Sequence, residues 1–120
     1  MRMMDWNGYR AQVLAGVGDL GKLSPDTTRG YMTLGGAGAK TGHLDAKTRE
    51  LIALACAVSL RCDGCITVHS EAARKLGATT EEVAEALGVA VSLNAGAALV
   101  YSTRTLDAFA AAGETAQDAA

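Results

Sequence analysis

Ten consecutive residues, Leu51 to Leu60, carry no charge and are apolar around almost the whole circumference of a helix. Such a run predicts a helix that is covered on all sides. Asp45 stands before it as an N-cap residue, and after Glu50 the next charged side chain is Arg61. A chain of 120 residues has little material to surround such a helix, so we expect other copies of the chain to contribute.

The other segments also have apolar residues at helical spacing, and none alternates in the manner of a strand. Ser24 and Pro25 are helix-start signals, and Gly77 is a helix-end signal. We therefore predict an all-α fold of five to six helices, with a central helical hairpin and an oligomeric assembly. The predicted helices cover residues 5–20 (ended by Gly21), 25–34, 46–60, 62–76 and 79–112, the last bent or broken at Asn94–Gly96.

We expect a single domain over residues 1–120. It consists of an N-terminal helical segment (1–23), a core (25–112) and a frayed tail (113–120). The glycine-rich stretch 35–42 is interpreted as a flexible connection or a frayed helix end. It lacks the preceding strand and the Lys-Ser/Thr spacing of a phosphate-binding loop.

Charge and composition exclude several classes of protein. The formal net charge is −2 and the basic residues are scattered, so we expect no nucleic-acid or anionic-membrane partner. The N-terminus lacks the apolar run of a signal peptide, and Leu51–Leu60 is too short to cross a bilayer, so we expect a cytoplasmic location. Aromatic residues are only 4% of the chain, which leaves little bulk for a core and again favours oligomers.

The second constraint is the motif Cys62-Asp63-Gly64-Cys65 followed by His69. If this segment is helical, the two thiols and the imidazole fall within an arc of roughly 60°, on the face predicted to be buried. An imidazolium or a helix N-terminus lowers the pKa of a nearby thiol, and a second thiol can convert a sulfenic acid into a disulfide. The motif therefore favours redox chemistry, in a helical protein rather than a thioredoxin fold, since no strand precedes it. The opposite, solvated side of this helix is predicted to hold Asp63, Thr67, Ser70, Glu71, Arg74 and Lys75.

Two other uses of the cluster remain open from the residues alone. The two thiols and His69 supply three zinc ligands, and Glu50 or His43 could supply the fourth, although no second Cys/His pair stands at the usual spacing. The cluster could also be structural, with small buried thiols and a satisfied core histidine. Covalent haem attachment is excluded, because Ile66 stands where a histidine must directly follow the second cysteine.

Glu50 is the further candidate. Its presence needs no function, because the helix dipole stabilises an acidic residue near a helix N-terminus. A continuous helix would place Glu50 roughly 18 Å from Cys62, so the chain must reverse near Arg61–Gly64 or Glu50 must come from another subunit. In an antiparallel hairpin, Glu50 lies within one turn of His69. We predict a proton path from Glu50 to His69 and then to the thiols.

Four other residues are interpreted as structural or solvated residues rather than as site residues. Cys56 lies on the apolar helix and is predicted to be a buried, inert thiol. His43 lies in the glycine-rich connection and is predicted to be solvated, while Tyr31 and Tyr101 are predicted to be core residues first. The apolar residues predicted to point inward in the last helical segment are Leu99, Val100, Leu106 and Phe109.

The spacing Glu50-x11-Cys62-x2-Cys65-x3-His69 resembles the alkylhydroperoxidase D-like branch of the carboxymuconolactone decarboxylase superfamily. The flanking segments Leu44–Ala55 and Leu76–Val83 match as well, and the likeness runs from about residue 25 to residue 109. The resemblance implies an all-helical fold that assembles into trimers or hexamers and reduces hydroperoxides. It implies no cofactor and no metal. The true decarboxylases of the superfamily do not use this cysteine pair, yet a lactone enzyme and a zinc-binding or structural oligomer remain the alternatives.

The resemblance also implies a role for each site residue. Cys65 attacks the peroxide, Cys62 resolves the product, and Glu50 and His69 relay protons with a water. A dithiol partner, a lipoylated or thioredoxin-like protein, returns the electrons. Gly64 stands where many relatives have an aromatic residue or a histidine, so a relay role is absent there. Asn94-Ala95-Gly96-Ala97 replaces a Gly-Gly-Gly-Pro-like break, which implies more continuous final helices.

Overall fold

The computed structural model describes residues 1–114, and within that range the chain is helical, with no strand. The all-α prediction is therefore confirmed. The tail residues 115–120, predicted to be frayed, lie outside the described residues. The helices are α1 (Trp6–Leu23), α2 (Pro25–Gly35), α3 (Ala37–Thr41), α4 (Ala46–Leu60), α5 (Asp63–Lys75) and α6 (Thr80–Ala112).

Polar side chains satisfy the unpaired N–H groups at several helix starts. Asp45 Oδ1 accepts a hydrogen bond from the Thr48 N–H at 2.8 Å and thereby begins α4 as predicted. At the start of α6, Thr79 and Glu82 form a reciprocal capping box. Pro25 is the first residue of α2, where its missing N–H costs nothing.

Three predicted boundaries differ from the structure. Gly21 does not end α1, which continues to Leu23. A Cβ at Gly21 would lie 3.0 Å from Thr28 Oγ1, so the glycine allows α2 to approach α1 closely. The glycine-rich stretch is largely ordered as α3 and ends at Gly42, whose φ of 69° is left-handed. Asn94 neither bends nor breaks α6, since its amide donates to the Ala90 carbonyl and to the Ser59 hydroxyl.

The helices α4 and α5 form the predicted hairpin, and they hold the site between them. The other face of α4 packs on α6, while α1 lies against α2 and α5. The fully covered side chains are small and few, and they lie where these helices meet. They are Leu54, Ala57, Thr67, Ala73 and Ala90.

Much apolar surface remains uncovered within one chain. The radius of gyration is 20.6 Å, whereas a compact domain of this length has about 14 Å. The helix α4 is not covered on all sides, because Ile52, Val58 and Leu60 are exposed. The inward orientation predicted for the end of α6 and the core positions predicted for two tyrosines are wrong within this chain, because no other element among residues 1–114 covers them. The exposed residues concerned are Tyr31, Leu99, Val100, Tyr101, Leu106 and Phe109.

The helix α6 is 33 residues long, and the other elements of the chain cover only part of it. By length and composition alone it is the one helix among residues 1–114 that could cross a bilayer. Helices of other kinds meet the same criteria, so one such helix is weak evidence for a membrane span. The sequence predicts a bend or break at Asn94–Gly96, and therefore does not predict one helix of this length.

Candidate redox site

The site begins at the turn that reverses the chain between α4 and α5. Arg61 ends α4 in a left-handed conformation with φ of 54°, and Cys62 follows in an extended conformation. The sequence predicts Cys62 as the first helical residue of α5. In the structure Cys62 is instead the N-cap of this helix. Its Sγ atom accepts a hydrogen bond from the Cys65 N–H at 3.2 Å. The turn thus places one sulfur at the positive end of the α5 dipole.

Cys62 and Cys65 are joined by a disulfide in this structure, with their Cα atoms 5.2 Å apart. Both residues are half-buried. The separation falls in the range that a disulfide requires, so the turn can hold the oxidised pair without rearranging the two helices. Within residues 1–114, no group of three or more His, Cys, Asp and Glu side chains is arranged to bind a metal ion.

Glu50 and His69 meet across the hairpin. His69 Nδ1 lies 2.6 Å from Glu50 Oε2, and the two side chains are 29% and 24% exposed. The contact predicted from an antiparallel hairpin is therefore present within one chain, and no second subunit is needed to supply Glu50. With Nδ1 engaged by Glu50, Nε2 is the ring nitrogen left to exchange a proton with another group.

His69 stands one helical turn beyond Cys65 on α5. Residues four apart in a helix lie on the same side, with a rise of about 6 Å between them. The carboxylate, the imidazole and the disulfide therefore follow one another along the α4–α5 interface, in the predicted order. This arrangement can hold a proton near one thiol while the helix N-terminus stabilises negative charge on the other.

The helix α1 covers the side of α5 that had been predicted to face solvent. Thr67 is only 3% exposed, and its hydroxyl donates to the Trp6 carbonyl at 3.0 Å. Arg10 pairs with Glu71 at 2.8 Å, and Val13 packs over Gly64. The expectation that Thr67 is solvated is wrong, because α1 docks there. This side of α5 is polar in sequence, so nothing local identifies the contact in advance.

Two other candidate residues lie apart from the site. Cys56 is exposed, not buried as predicted, because no element of the described part of the chain covers its side of α4. His43 is exposed, as predicted. Neither belongs to the α4–α5 interface that holds the Glu50–His69 pair.

A salt bridge ties the start of α4 to the start of α6. Lys47 Nζ lies 2.7 Å from Glu82 Oε2. This bond holds the pKa of Glu82 below its ordinary value and raises the pKa of Lys47. The pKa of Asp45 is likewise lowered, by hydrogen bonds from the side chain and backbone of Thr48. The three charges fix the first turn of the helix that carries Glu50.

Residues 25–114 match the sequence profile of the carboxymuconolactone decarboxylase family. The fold resembles the crystal structure of a carboxymuconolactone decarboxylase family protein from Legionella pneumophila. The TM-score is 0.70 with 38% identity, covering 91% of this chain and 97% of that one. A protein from Methanobacterium thermoautotrophicum matches with a TM-score of 0.64 and 32% identity, covering 70% of this chain and 94% of that one.

Two similar proteins known from sequence are uncharacterised. One, from Haemophilus influenzae, is 51% identical over 105 residues, which is 88% of this chain and 93% of that protein. The other, described as an uncharacterised protein in the cox locus of Paracoccus denitrificans, is 34% identical over 92 residues, covering 77% of this chain and 83% of its own length.

Proposed function

Because the chain belongs to the carboxymuconolactone decarboxylase family, we propose that it is a thiol-dependent peroxidase of the alkylhydroperoxidase D-like type. The observation that carries this proposal is one arrangement of four residues. The Cys62–Cys65 disulfide caps the helix that also carries His69, and His69 is bonded to Glu50. A reversible dithiol with its own proton relay is what hydroperoxide reduction requires.

The first step is attack by Cys65 on the peroxide. His69, held by Glu50, accepts the Cys65 proton, directly or through a water. The thiolate then attacks the terminal oxygen of ROOH, the O–O bond breaks, and the RO⁻ group leaves. The proton held by His69 returns to this group, giving ROH and a Cys65 sulfenic acid.

The second step closes the disulfide. Cys62 accepts the Cys65 N–H and stands at the α5 N-terminus, both of which favour its thiolate form. The Cys62 thiolate attacks the sulfenic sulfur of Cys65 and the S–O bond breaks. The hydroxide that leaves takes up the proton released by Cys62 and becomes water. The two thiolates are thus favoured in different ways: His69 accepts the proton of Cys65, and the helix N-terminus stabilises the negative charge on Cys62.

The cycle ends with reduction by a dithiol. One thiolate of the partner attacks the Cys62–Cys65 bond to give a mixed disulfide, and its second thiol displaces the protein. The balance is ROOH plus R′(SH)₂ giving ROH, water and the disulfide of the partner. We infer that the partner is a protein carrying a lipoyl group or a thioredoxin-like dithiol. We also infer that the reaction takes place in the cytoplasm and that the protein itself uses no cofactor.

We also propose that the protein is a homo-oligomer, a trimer or a hexamer. Its support is the row of large apolar side chains that α4 and α6 leave exposed, since contiguous apolar surface marks interaction sites. The extended shape agrees, since the principal extents are 63, 40 and 38 Å. Association of copies through these faces leaves the Glu50–His69 contact within each chain.

The test is turnover of cumene hydroperoxide with dihydrolipoamide as the reductant. The wild type and the Cys56→Ser variant are expected to consume the peroxide at the same rate, because Cys56 lies apart from the site. The Cys65→Ser variant is expected to lose this activity. Unchanged turnover in Cys65→Ser, or in protein whose thiols are all alkylated, would overturn the proposal.

A further inference from the structure

A groove with a volume of about 640 Å³ runs between the start of α1 and the outer side of α5. The side chains of Trp6 and Ile66 form the apolar part of its lining, and the rest of the lining is polar or charged. We call it the α1–α5 groove. Its lining residues are Arg2, Trp6, Asn7, Arg10, Ile66, Thr67, Ser70, Glu71, Arg74 and Lys75.

The lining of this groove is strongly basic, with four cationic side chains and one carboxylate. That carboxylate, Glu71, is already paired with Arg10 at 2.8 Å and with Lys75 at 3.2 Å. Arg2 and Arg74 have no ion-pair partner among residues 1–114. The groove therefore holds excess positive charge in a chain whose formal net charge is −2. Charge of one sign concentrated in a cleft attracts ligands of the other sign.

The groove is separate from the peroxide site. Thr67 and Glu71 face α1, whereas His69 faces Glu50 on α4. The helix α1 that forms one wall also lies outside the family match, which begins at residue 25. The groove nevertheless begins at Ile66, directly after Cys65, so an occupant lies along the helix that bears the disulfide.

We propose that the α1–α5 groove is a docking site for an acidic segment of a partner protein. From Ile66 to Lys75 the groove follows α5 for about 14 Å, the length of about four residues of extended peptide. The planar guanidinium groups of Arg2 and Arg74 suit carboxylates, which they can bind through two parallel hydrogen bonds. Trp6 and Ile66 accommodate the aliphatic parts of such a segment. Asp5 lies in the adjoining hollow, and its carboxylate caps α1 by accepting a hydrogen bond from the Gly8 N–H.

Arg10 gives the groove a fixed wall. Its side chain is only 18% exposed, and it bonds Asn7 at 2.9 Å as well as Glu71. Since Arg10 holds Glu71 in place, the one carboxylate in the groove cannot swing towards Arg2 or Arg74 without breaking that pair. The two arginines therefore stay available, and an acidic segment binds without first displacing an internal partner.

The test uses a hexaglutamate peptide and the full chain at low ionic strength. Trp6 is the only tryptophan of the protein and lines the groove, so its fluorescence reports occupancy directly. The signal is expected to saturate as peptide is added, and binding is expected to weaken as salt is raised. Hexalysine is expected to give no saturable change.

Charge reversal locates the site. Arg74→Glu and Arg2→Glu are each expected to weaken hexaglutamate binding about tenfold or more, because each places a carboxylate against the peptide. Lys40→Glu on α3 makes the same change in net charge away from the groove and is the matched control, expected to bind as the wild type does.

Three results would overturn the proposal. The first is absence of saturable binding of hexaglutamate to the wild type. The second is equal loss of binding in Lys40→Glu and Arg74→Glu, which assigns the effect to overall charge. The third is displacement of the peptide by inorganic phosphate at the same charge concentration, which reassigns the groove to small anions. Peroxide turnover with dihydrolipoamide is read separately in each variant and tests the proposed function alone.

Discussion

His69 Nδ1 lies 2.6 Å from Glu50 Oε2, although the two residues are nineteen positions apart in the chain. The contact joins the start of α4, which Asp45 caps, to the middle of α5, across the turn at Arg61. The pair is half-buried, so the carboxylate can orient the imidazole without being screened fully by water. This relationship places a proton acceptor one turn beyond Cys65.

Removing the imidazole tests the relay. His69→Asn is expected to slow sulfenic acid formation at Cys65 by about 10²-fold or more, because a positioned general base contributes at this level. Glu50→Gln is expected to have a smaller effect in the same direction, since Glu50 acts through His69. Stopped-flow measurement of peroxide reduction by pre-reduced protein gives both rates.

The double variant separates this account from a structural role. Glu50→Gln in the His69→Asn background is expected to change the rate no further, because the group that it positions is already gone. Glu85→Gln, on the exposed side of α6, is the matched control and is expected to react as the wild type does. Additive losses from the two site substitutions would show that Glu50 acts independently of His69.

Two left-handed residues next to helix ends give opposite stability predictions. Arg61 has φ of 54° and Gly77 has φ of 83°. Because a side chain is strained in this region, Arg61→Gly is expected to raise the free energy of unfolding by about 0.5–1 kcal/mol. Gly77→Ala is expected to lower it by about 1 kcal/mol. Urea denaturation measures both, and a destabilised Arg61→Gly variant would show that the Arg61 side chain makes compensating contacts.

The Lys47–Glu82 bridge gives a pH prediction. The pKa of Glu82 is lowered from 4.5, so its contribution to stability is present above that value and is lost as the pH falls. The pKa of Lys47 is raised from 10.5, so its contribution is lost only in strong alkali. The melting temperature of the wild type is expected to exceed that of Lys47→Met at about pH 7. The two are expected to converge at about pH 2.5. A difference that persists in acid would assign the effect to packing of the Lys47 stem.

The exposed side of α6 tests self-association. Leu99, Leu106 and Phe109 share one side of the helix, and all are largely exposed. Leu99→Glu is expected to lower the mass found by light scattering towards that of one chain, 12.3 kDa. Arg104→Glu, on another side of α6, is the control and is expected to retain the assembly. A wild type that is monomeric at all concentrations would contradict the proposed oligomer.

Much of the fold was predictable because its signals are local. Asp45, Pro25 and Gly77 all mark helix ends through their own local chemistry, and each stands at the helix end that the sequence predicts. The Glu50–His69 contact was also predictable, since a reversal after Leu60 forces the two helices to run antiparallel.

What the sequence did not reveal depends on tertiary contacts. Gly21 reads as a helix end, but close approach of Thr28 uses its missing Cβ instead. Asn94 reads as a break, but the Ser59 hydroxyl gives its amide a partner. The sequence predicts that Thr67 is solvated, because no nearby residue indicates that α1 docks on this side of α5. The sequence also predicts that the apolar residues at the end of α6 point inward. Their periodicity does not show whether this chain or another copy covers them.

The most direct measurement is the intact mass of reduced protein after one equivalent of cumene hydroperoxide, compared among the wild type, Cys62→Ser and Cys65→Ser. The wild type is expected to lose about 2 Da as the Cys62–Cys65 disulfide forms. Cys62→Ser is expected to stop at a sulfenic acid on Cys65, about 16 Da heavier and trapped by dimedone. Trapping on Cys62 in Cys65→Ser would reverse the two roles. A wild type whose mass does not change would contradict the redox account itself.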